Sequence, residues 1–269
     1  MIRMRVDHYA ESLRMNTSMV VLMPQAAAGI GMAGAYGAYG APAADVGVPV
    51  LYLLHGLSDD CTIWERRTAI ERYASTKGIA VVMPEVRRSF YADEALGEDY
   101  WTYIADELPQ LLARTFRIST AREDTFVAGL SMGGFGAMKL ALNRPDRFAA
   151  AASLSGVLDL GALDLSEHGG HLAARIWDVR GSDAGPGAHL AAGGPDDLLG
   201  LIAAADPAST PALFVACGTE DYLIEGNERF LEVAARQGHA VETVLRPGAH
   251  TWEFWDEEIQ RVLEWLPLR

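Results

Sequence analysis

Cysteine is scarce in this chain of 269 residues: Cys61 and Cys217 are the only two, in segments far apart. They make no disulfide framework and point to a reducing compartment. Basic residues are also in short supply. Lys and Arg number 22 against 36 Asp and Glu, a formal net charge of −14. No basic stripe exists to neutralise phosphates, which argues against a nucleic-acid partner. Long apolar runs are missing too, since no stretch of about 18 residues could span a bilayer. The opening Met1-Ile-Arg-Met-Arg-Val-Asp-His8 lacks the unbroken apolar core of a signal peptide. These absences predict a soluble, cytoplasmic protein.

What is present suits a large core. Half of the residues are hydrophobic and 22% are charged, a balance that one α/β domain of this size can carry undivided. No repeat and no clear linker interrupts the chain, so residues 1–269 are expected to form a single domain. Two early strands are expected at 2–9 and 17–23, antiparallel at a sheet edge. The Ala/Gly/Tyr run between Gln25 and Gly47 is nearly uncharged; it suits a surface loop or hairpin tip rather than a packed element or a lid.

Val48-Pro-Val-Leu-Tyr-Leu-Leu54 is a continuous apolar strand of the kind buried on both faces of a parallel sheet. A helix over 63–75 and a strand over 79–83 follow. Between 99 and 116, Trp101, Ile104, Leu108, Leu111, Leu112 and Phe116 recur at helical spacing, with Pro109 inside the run to kink it or mark a boundary. Later strands are expected over the apolar run 126–128 and at 149–154, 212–217 and 241–245, and helices at 132–142, near 196–204, at 227–237 and near 252–265. Residues 156–195, rich in Gly, Asp and His, break the pattern and read as a loop excursion over the strand ends. Strands alternating with helices predict an α/β fold with a mainly parallel, doubly wound sheet.

Chemistry concentrates in Thr125-Phe-Val-Ala-Gly-Leu-Ser-Met-Gly-Gly134. A buried strand turns into a helix with one serine at the turn, the pattern of a nucleophile elbow. The G-x-S-x-G match alone is weak, arising by chance in about 0.1 copies in such a chain, so its position between strand and helix carries the argument. A serine hydroxyl needs a base, and the base needs an orienting acid. On such a scaffold the acid and then the histidine follow the serine, each on a loop after a strand. His8 and His55 precede Ser131; His168, His171 and His189 lie in the excursion; His239 sits at the wrong end of its strand. His250 follows a late strand and opens the last helix. The acid is expected at Asp221 in Cys217-Gly-Thr-Glu-Asp221, with Glu220 solvated or bonding the loop backbone. Oxyanion donors are expected at the backbone N–H groups of Met132 and Leu57, with Gly56 the next choice to Leu57.

His168-x-x-His171 with Asp164 and Glu167 offers metal-ligand types at short spacing, but its glycine-rich setting and the absence of a matching pair favour a solvated loop. No metal and no cofactor is expected. Trp64, Trp101, Trp177 and Trp252 are candidates to line an acyl pocket, although large aromatics more often sit in cores.

Arg14-Met-Asn-Thr-Ser-Met19, Leu51-Tyr-Leu-Leu-His-Gly-Leu57, Trp64 with Arg67-Thr68 and Glu71-Arg72, Glu107-Leu-Pro109, the elbow, Cys217–Asp221 and His250-Thr-Trp252 occur in an order that resembles one family over nearly the whole chain. It is the esterase D-like branch of the α/β-hydrolases, especially the bacterial tributyrin (acetyl) esterases, relatives of S-formylglutathione hydrolase. The stretches at 26–47 and 160–195 depart from that family's pattern. The resemblance implies a cofactor-independent serine carboxylesterase acting on small short-chain (acetyl to butyryl) esters, with Ser131 the nucleophile, His250 the base, Asp221 the acid and Leu57 and Met132 the oxyanion donors. It also implies a dimer or tetramer. Alternatives are an S-formylglutathione-type thioesterase, a carbohydrate acetyl esterase, an acyltransferase, or a non-catalytic binding protein on the same fold.

Overall fold

Strands β3 (Val50–Leu54), β4 (Ala80–Pro84), β5 (Thr125–Leu130) and β6 (Ala150–Leu154) are buried at every residue, as their unbroken apolar sequences require. They form the centre of a mixed sheet in the computed structural model, which describes residues 1–25, 47–163, 171–178 and 191–268, with only the backbone of His171. The run at 26–46 and the metal candidates Asp164, Glu167 and His168 lie outside the described residues. Sheet order is β1-β2-β4-β3-β5-β6-β7-β8. Strands β7 (Ala212–Gly218) and β8 (Val241–Arg246) continue the parallel part on one side. On the other side β1 (Ile2–Ala10) and β2 (Met15–Met23) pair antiparallel, and β2 pairs antiparallel with β4. The sheet is therefore mostly parallel with an antiparallel edge, as expected.

Side chains alternate across a strand, so each central strand feeds two cores. Val50, Tyr52, Leu54, Val127, Ala151 and Val215 face one layer. Helices α4 (Leu108–Thr115), α5 (Met132–Asn143), α7 (Leu198–Ala204) and α8 (Ile224–Arg236) cover that layer. Leu51, Leu53, Phe126, Ala128, Ala152 and Ala216 face the opposite one, covered by α1 (Ile63–Arg67), α2 (Ile70–Lys77) and α9 (Trp252–Trp265).

Three local outcomes differ from the sequence pattern. The helix expected at 63–75 divides at Thr68, whose N–H and hydroxyl both bond the Trp64 carbonyl, at 3.0 and 2.6 Å. Its oxygen then accepts the Ile70 N–H at 3.2 Å and starts the next helix. The run at 99–116 is helical throughout but not uniform, with α3 (Tyr100–Thr102), a π turn at Tyr103–Glu107, and then α4. Pro109 has no N–H for the Ala105 carbonyl, and the Arg147 guanidinium donates to that oxygen instead. The excursion holds a 3-10 turn at Leu160–Ala162 and a helix, α6 (His171–Trp177). That helix docks by its C-terminal carbonyls: the Ala95 and Leu96 N–H groups donate to Ile176 and Arg175 at 2.9 Å each.

One buried cation ties the excursion to the elbow helix. Lys139 of α5 has a side chain 2% exposed, and its Nζ lies 2.5 Å from Asp196 Oδ1. It also donates to the Tyr91 carbonyl at 2.7 Å and sits 4.6 Å from the Trp101 ring centre. Trp177 donates to the other Asp196 oxygen at 2.9 Å. Burial pushes the Lys139 ammonium below its ordinary pKa, and the Asp196 charge opposes that. Removing either partner of such a pair strands the buried charge of the other, whereas replacing both by apolar side chains strands none. Asp196→Ala should therefore cost about 3–5 kcal/mol in urea unfolding, and the double variant Lys139→Met with Asp196→Ala clearly less. An Asp196→Ala loss below about 1 kcal/mol, the range of an exposed pair, would mean that the ammonium reaches water without its partner.

Candidate active site

Every side chain of the site stands where a strand ends. β5 passes into α5 through Ser131, whose φ of 52° and ψ of −118° lie outside the usual regions for a residue with a side chain. The backbone is held there on both sides. The Ser131 N–H donates to Leu154 O at 2.9 Å, and its carbonyl accepts from Phe135 at 3.1 Å and Val157 at 3.3 Å. Two glycines make the turn sterically possible. A Cβ on Gly129 would lie 2.3 Å from Gly133 O, and one on Gly133 would lie 2.4 Å from Leu54 O. No real side chain tolerates either approach.

The loop after β7 carries Asp221 and the loop after β8 carries His250. Asp221 is 2% exposed and its Oδ1 accepts the Leu223 N–H at 2.9 Å. His250 Nδ1 lies 2.8 Å from Asp221 Oδ2 and 3.1 Å from Oδ1, and Nε2 lies 3.0 Å from Ser131 Oγ. Burial raises the cost of ionising Asp221. The His250 hydrogen bond, the His250 charge and the Leu223 N–H outweigh it and hold the carboxyl below its usual range. Glu220 bonds the loop backbone as expected: its carboxylate accepts the Gly248 N–H, and its own N–H donates to Gly248 O at 3.0 Å. The acid and histidine loops are thus stapled reciprocally.

Ser131, Asp221, His250, Leu57 and Met132 are all brought to one place. Leu57 and Met132 line the cleft beside Ser131, and among the described residues neither N–H donates to a protein acceptor. Met132 opens α5, where the first amides have no intrahelical acceptor. The other described histidines are elsewhere. His8 stacks on Tyr103 at 5.9 Å, His239 bonds Ile202 O at 3.1 Å, and His55 is buried behind the cleft.

The cleft has a volume of about 340 Å³. Of the four candidate tryptophans, Trp252 alone lines it. Trp64 is buried under the sheet, donating to Leu54 O at 3.0 Å, Trp101 covers Lys139, and Trp177 packs on Phe90 from outside, ring centres 5.7 Å apart. Trp255, Tyr222 and Phe90 line the cleft and were not singled out by the sequence. Trp255 meets the His250 ring edge-on at 4.8 Å, and Tyr222 covers it at the same distance. The available signals were adjacency alone: Tyr222 directly follows the acid, and Trp255 lies one helical turn beyond Trp252. Phe90 has no such signal. Asp59, with its pKa raised chiefly by burial, and the exposed Arg88 complete the polar wall. Among the described residues no group of His, Cys, Asp or Glu could hold a metal.

Strand order, the left-handed elbow and the hydrogen-bonded Ser–His–Asp line place the chain among the serine hydrolases of the α/β-hydrolase fold. The family model described as "Putative esterase" matches residues 36–266. The chain belongs to that Esterase family and is a serine carboxylic ester hydrolase. An acetyl esterase of Caldicellulosiruptor saccharolyticus is 26% identical, aligned over 98% of this chain and 97% of the relative. Among solved structures, the fluorophosphonate-binding serine hydrolase FphF of Staphylococcus aureus superposes with a TM-score of 0.78 at 31% identity, covering 98% of each chain. The S-formylglutathione hydrolase FrmB of Staphylococcus aureus follows with a TM-score of 0.75 and 29% identity, again over 98% of each chain. No described helix is long and apolar enough to cross a membrane.

The lowered pKa of Asp221 has a consequence for folding. Between its folded and unfolded pKa values the native state binds fewer protons, so stability rises with pH there. The Asp221 contribution is full above the unfolded value of about 4 and fades as pH falls through the lower folded value. The unfolding free-energy gap between wild type and Asp221→Asn should hence be constant from about pH 7 to 5 and shrink toward pH 2. A gap that stayed constant into acid would contradict the lowered carboxyl.

Proposed function

We propose that the chain hydrolyses small esters with short acyl groups, acetyl to butyryl, through an acyl-enzyme on Ser131. The observation that carries this reading is the unbroken line from Ser131 Oγ through His250 to Asp221, at 3.0 and 2.8 Å, on the floor of the cleft. His250 Nε2 takes the serine proton as Oγ attacks the ester carbonyl. The Leu57 and Met132 N–H groups hold the negative oxygen of the tetrahedral intermediate. His250 then returns the proton to the leaving alcohol, and water activated by the same imidazole releases the acid. Asp221 fixes the imidazole tautomer and stabilises its charged form. No step requires a cofactor.

A cleft of about 340 Å³ walled by Trp252, Trp255 and Phe90 supports a small acyl group, since it lies at the low end of ligand-pocket volumes. The match over 36–266 and the continuous sheet support a single domain across 1–269. One feature favours a second reading, hydrolysis of a thioester with an anionic leaving group: Arg88 brings a guanidinium to the rim.

Two measurements test these readings. Ser131→Ala should lower turnover of p-nitrophenyl acetate by about 10³ to 10⁶ fold, and retention of more than about a thousandth would remove Ser131 from the nucleophile role. Across p-nitrophenyl esters, kcat/KM should peak at two to four acyl carbons and fall steeply beyond; a peak at eight or more would exclude the short-chain reading. S-formylglutathione, acetylated sugars and an added alcohol acceptor on the same panel separate thioester, carbohydrate and transfer chemistry.

A further inference from the structure

The Gly56–Leu57 peptide, whose N–H the proposed function assigns to the oxyanion, is gripped from behind by an imidazole that the chemistry does not use. His55 is 1% exposed. Its Nε2 faces the Val86 N–H at 3.1 Å. An amide N–H only donates, so Nε2 carries the lone pair and the ring proton sits on Nδ1. Nδ1–H therefore donates to the Gly56 carbonyl, 2.8 Å away. In a trans peptide the C=O and the next N–H point in opposite directions. Holding the Gly56 oxygen against the ring turns the Leu57 N–H the other way, toward the cleft that Leu57 lines.

The grip is itself braced. The Tyr91 hydroxyl donates to the His55 carbonyl at 2.9 Å. Glu85 lies 3.6 Å from Nε2, with one oxygen taken by the Arg87 N–H at 2.8 Å and the other by the Cys61 N–H at 3.0 Å. Arg87, Phe90 and Tyr91 all have φ near +50°. Three left-handed residues with side chains, within five positions, mark a loop whose shape is enforced by its surroundings, as backbone strain near functional sites often is. The Tyr91 ring fills the space beside Gly136 of the elbow helix, where a Cβ would meet it at 2.5 Å.

We propose that His55 is a positioning residue for the oxyanion hole: its neutral, Nδ1-protonated ring sets the direction of the Leu57 N–H. The proposal rests on the oxyanion assignment above. His55→Gln places an acceptor near the Nε2 position for Val86 but no donor at Nδ1, whereas His55→Asn places an amide N–H where Nδ1 stood. With p-nitrophenyl acetate, His55→Gln should lose about 10²-fold in kcat with KM within about twofold, the scale of one misaimed oxyanion donor. His55→Asn should recover at least about tenfold of that loss. Affinity for a trifluoromethyl ketone, which forms an oxyanion adduct on the serine, should fall in parallel with kcat across the pair. Wild-type kcat in His55→Gln, equal impairment of both variants, or losses that follow the unfolded fraction would overturn the proposal. If neither variant folds, Tyr91→Phe decides: it removes only the hydroxyl brace and should cost about five- to tenfold in kcat at constant KM, and an unchanged kcat overturns the idea. Ser131→Ala on the same panel keeps the outcomes distinct, because turnover retained there would sink the parent reading instead.

Discussion

The end of the sheet that carries chemistry depends on one steric constraint, the passage of β5 into α5 within a single residue. Ser131 takes a left-handed backbone so that the strand and helix axes can meet without a loop between them. The helix start then presses on the end of β3 closely enough that Gly133 has no room for a side chain against Leu54 O. This contact sets the distance from the serine to the His55-Gly56-Leu57 turn, and so places two separate stretches of backbone around one point. It also puts the first amide of α5 at that point, with the positive end of the helix behind it.

A second layer of support is polar rather than apolar. Lys139 reaches from the middle of the elbow helix to Asp196, Tyr91 O and Trp101, and Asp196 in turn accepts from Trp177. A single ammonium thereby fixes the 85–91 loop, helix α6 and the 191–197 segment relative to Ser131. Arg175 with Glu94, at 2.8 Å, closes the same assembly from outside. An apolar contact would tolerate sliding, while directed bonds to a buried charge hold one arrangement.

Much of this was legible in the sequence because the relevant signals are local. Unbroken apolar runs marked β3 to β7, the glycine pair marked the elbow, and strand-end position singled out Asp221 and His250, which the structure brings within hydrogen-bond reach of Ser131. What stayed hidden depends on partners distant in the chain. The π turn at Tyr103–Glu107 needs Arg147 to satisfy a carbonyl 42 positions away. Phe90 becomes a cleft wall only because Phe135 and Trp177 press on it. Trp101 and Trp64 were pocket candidates by type alone, and, as is commoner for large aromatics, they are committed elsewhere, one to a cation and the other to the Leu54 carbonyl. Helix α6 buries Leu172 and Ile176, one helical turn apart, but at 7 residues in a Gly- and Asp-rich stretch that pattern is too short to stand out in the sequence.

The reciprocal bonds between Glu220 and Gly248 have a dynamic meaning. His250 hangs from β8, an edge strand with β7 as its one neighbour in the sheet, and edges open before centres do. Because the staple joins the two loops, the loop after this edge strand is tied by backbone bonds to the loop after β7, which lies inside the sheet, and the imidazole is held at its carboxylate by more than their own hydrogen bond.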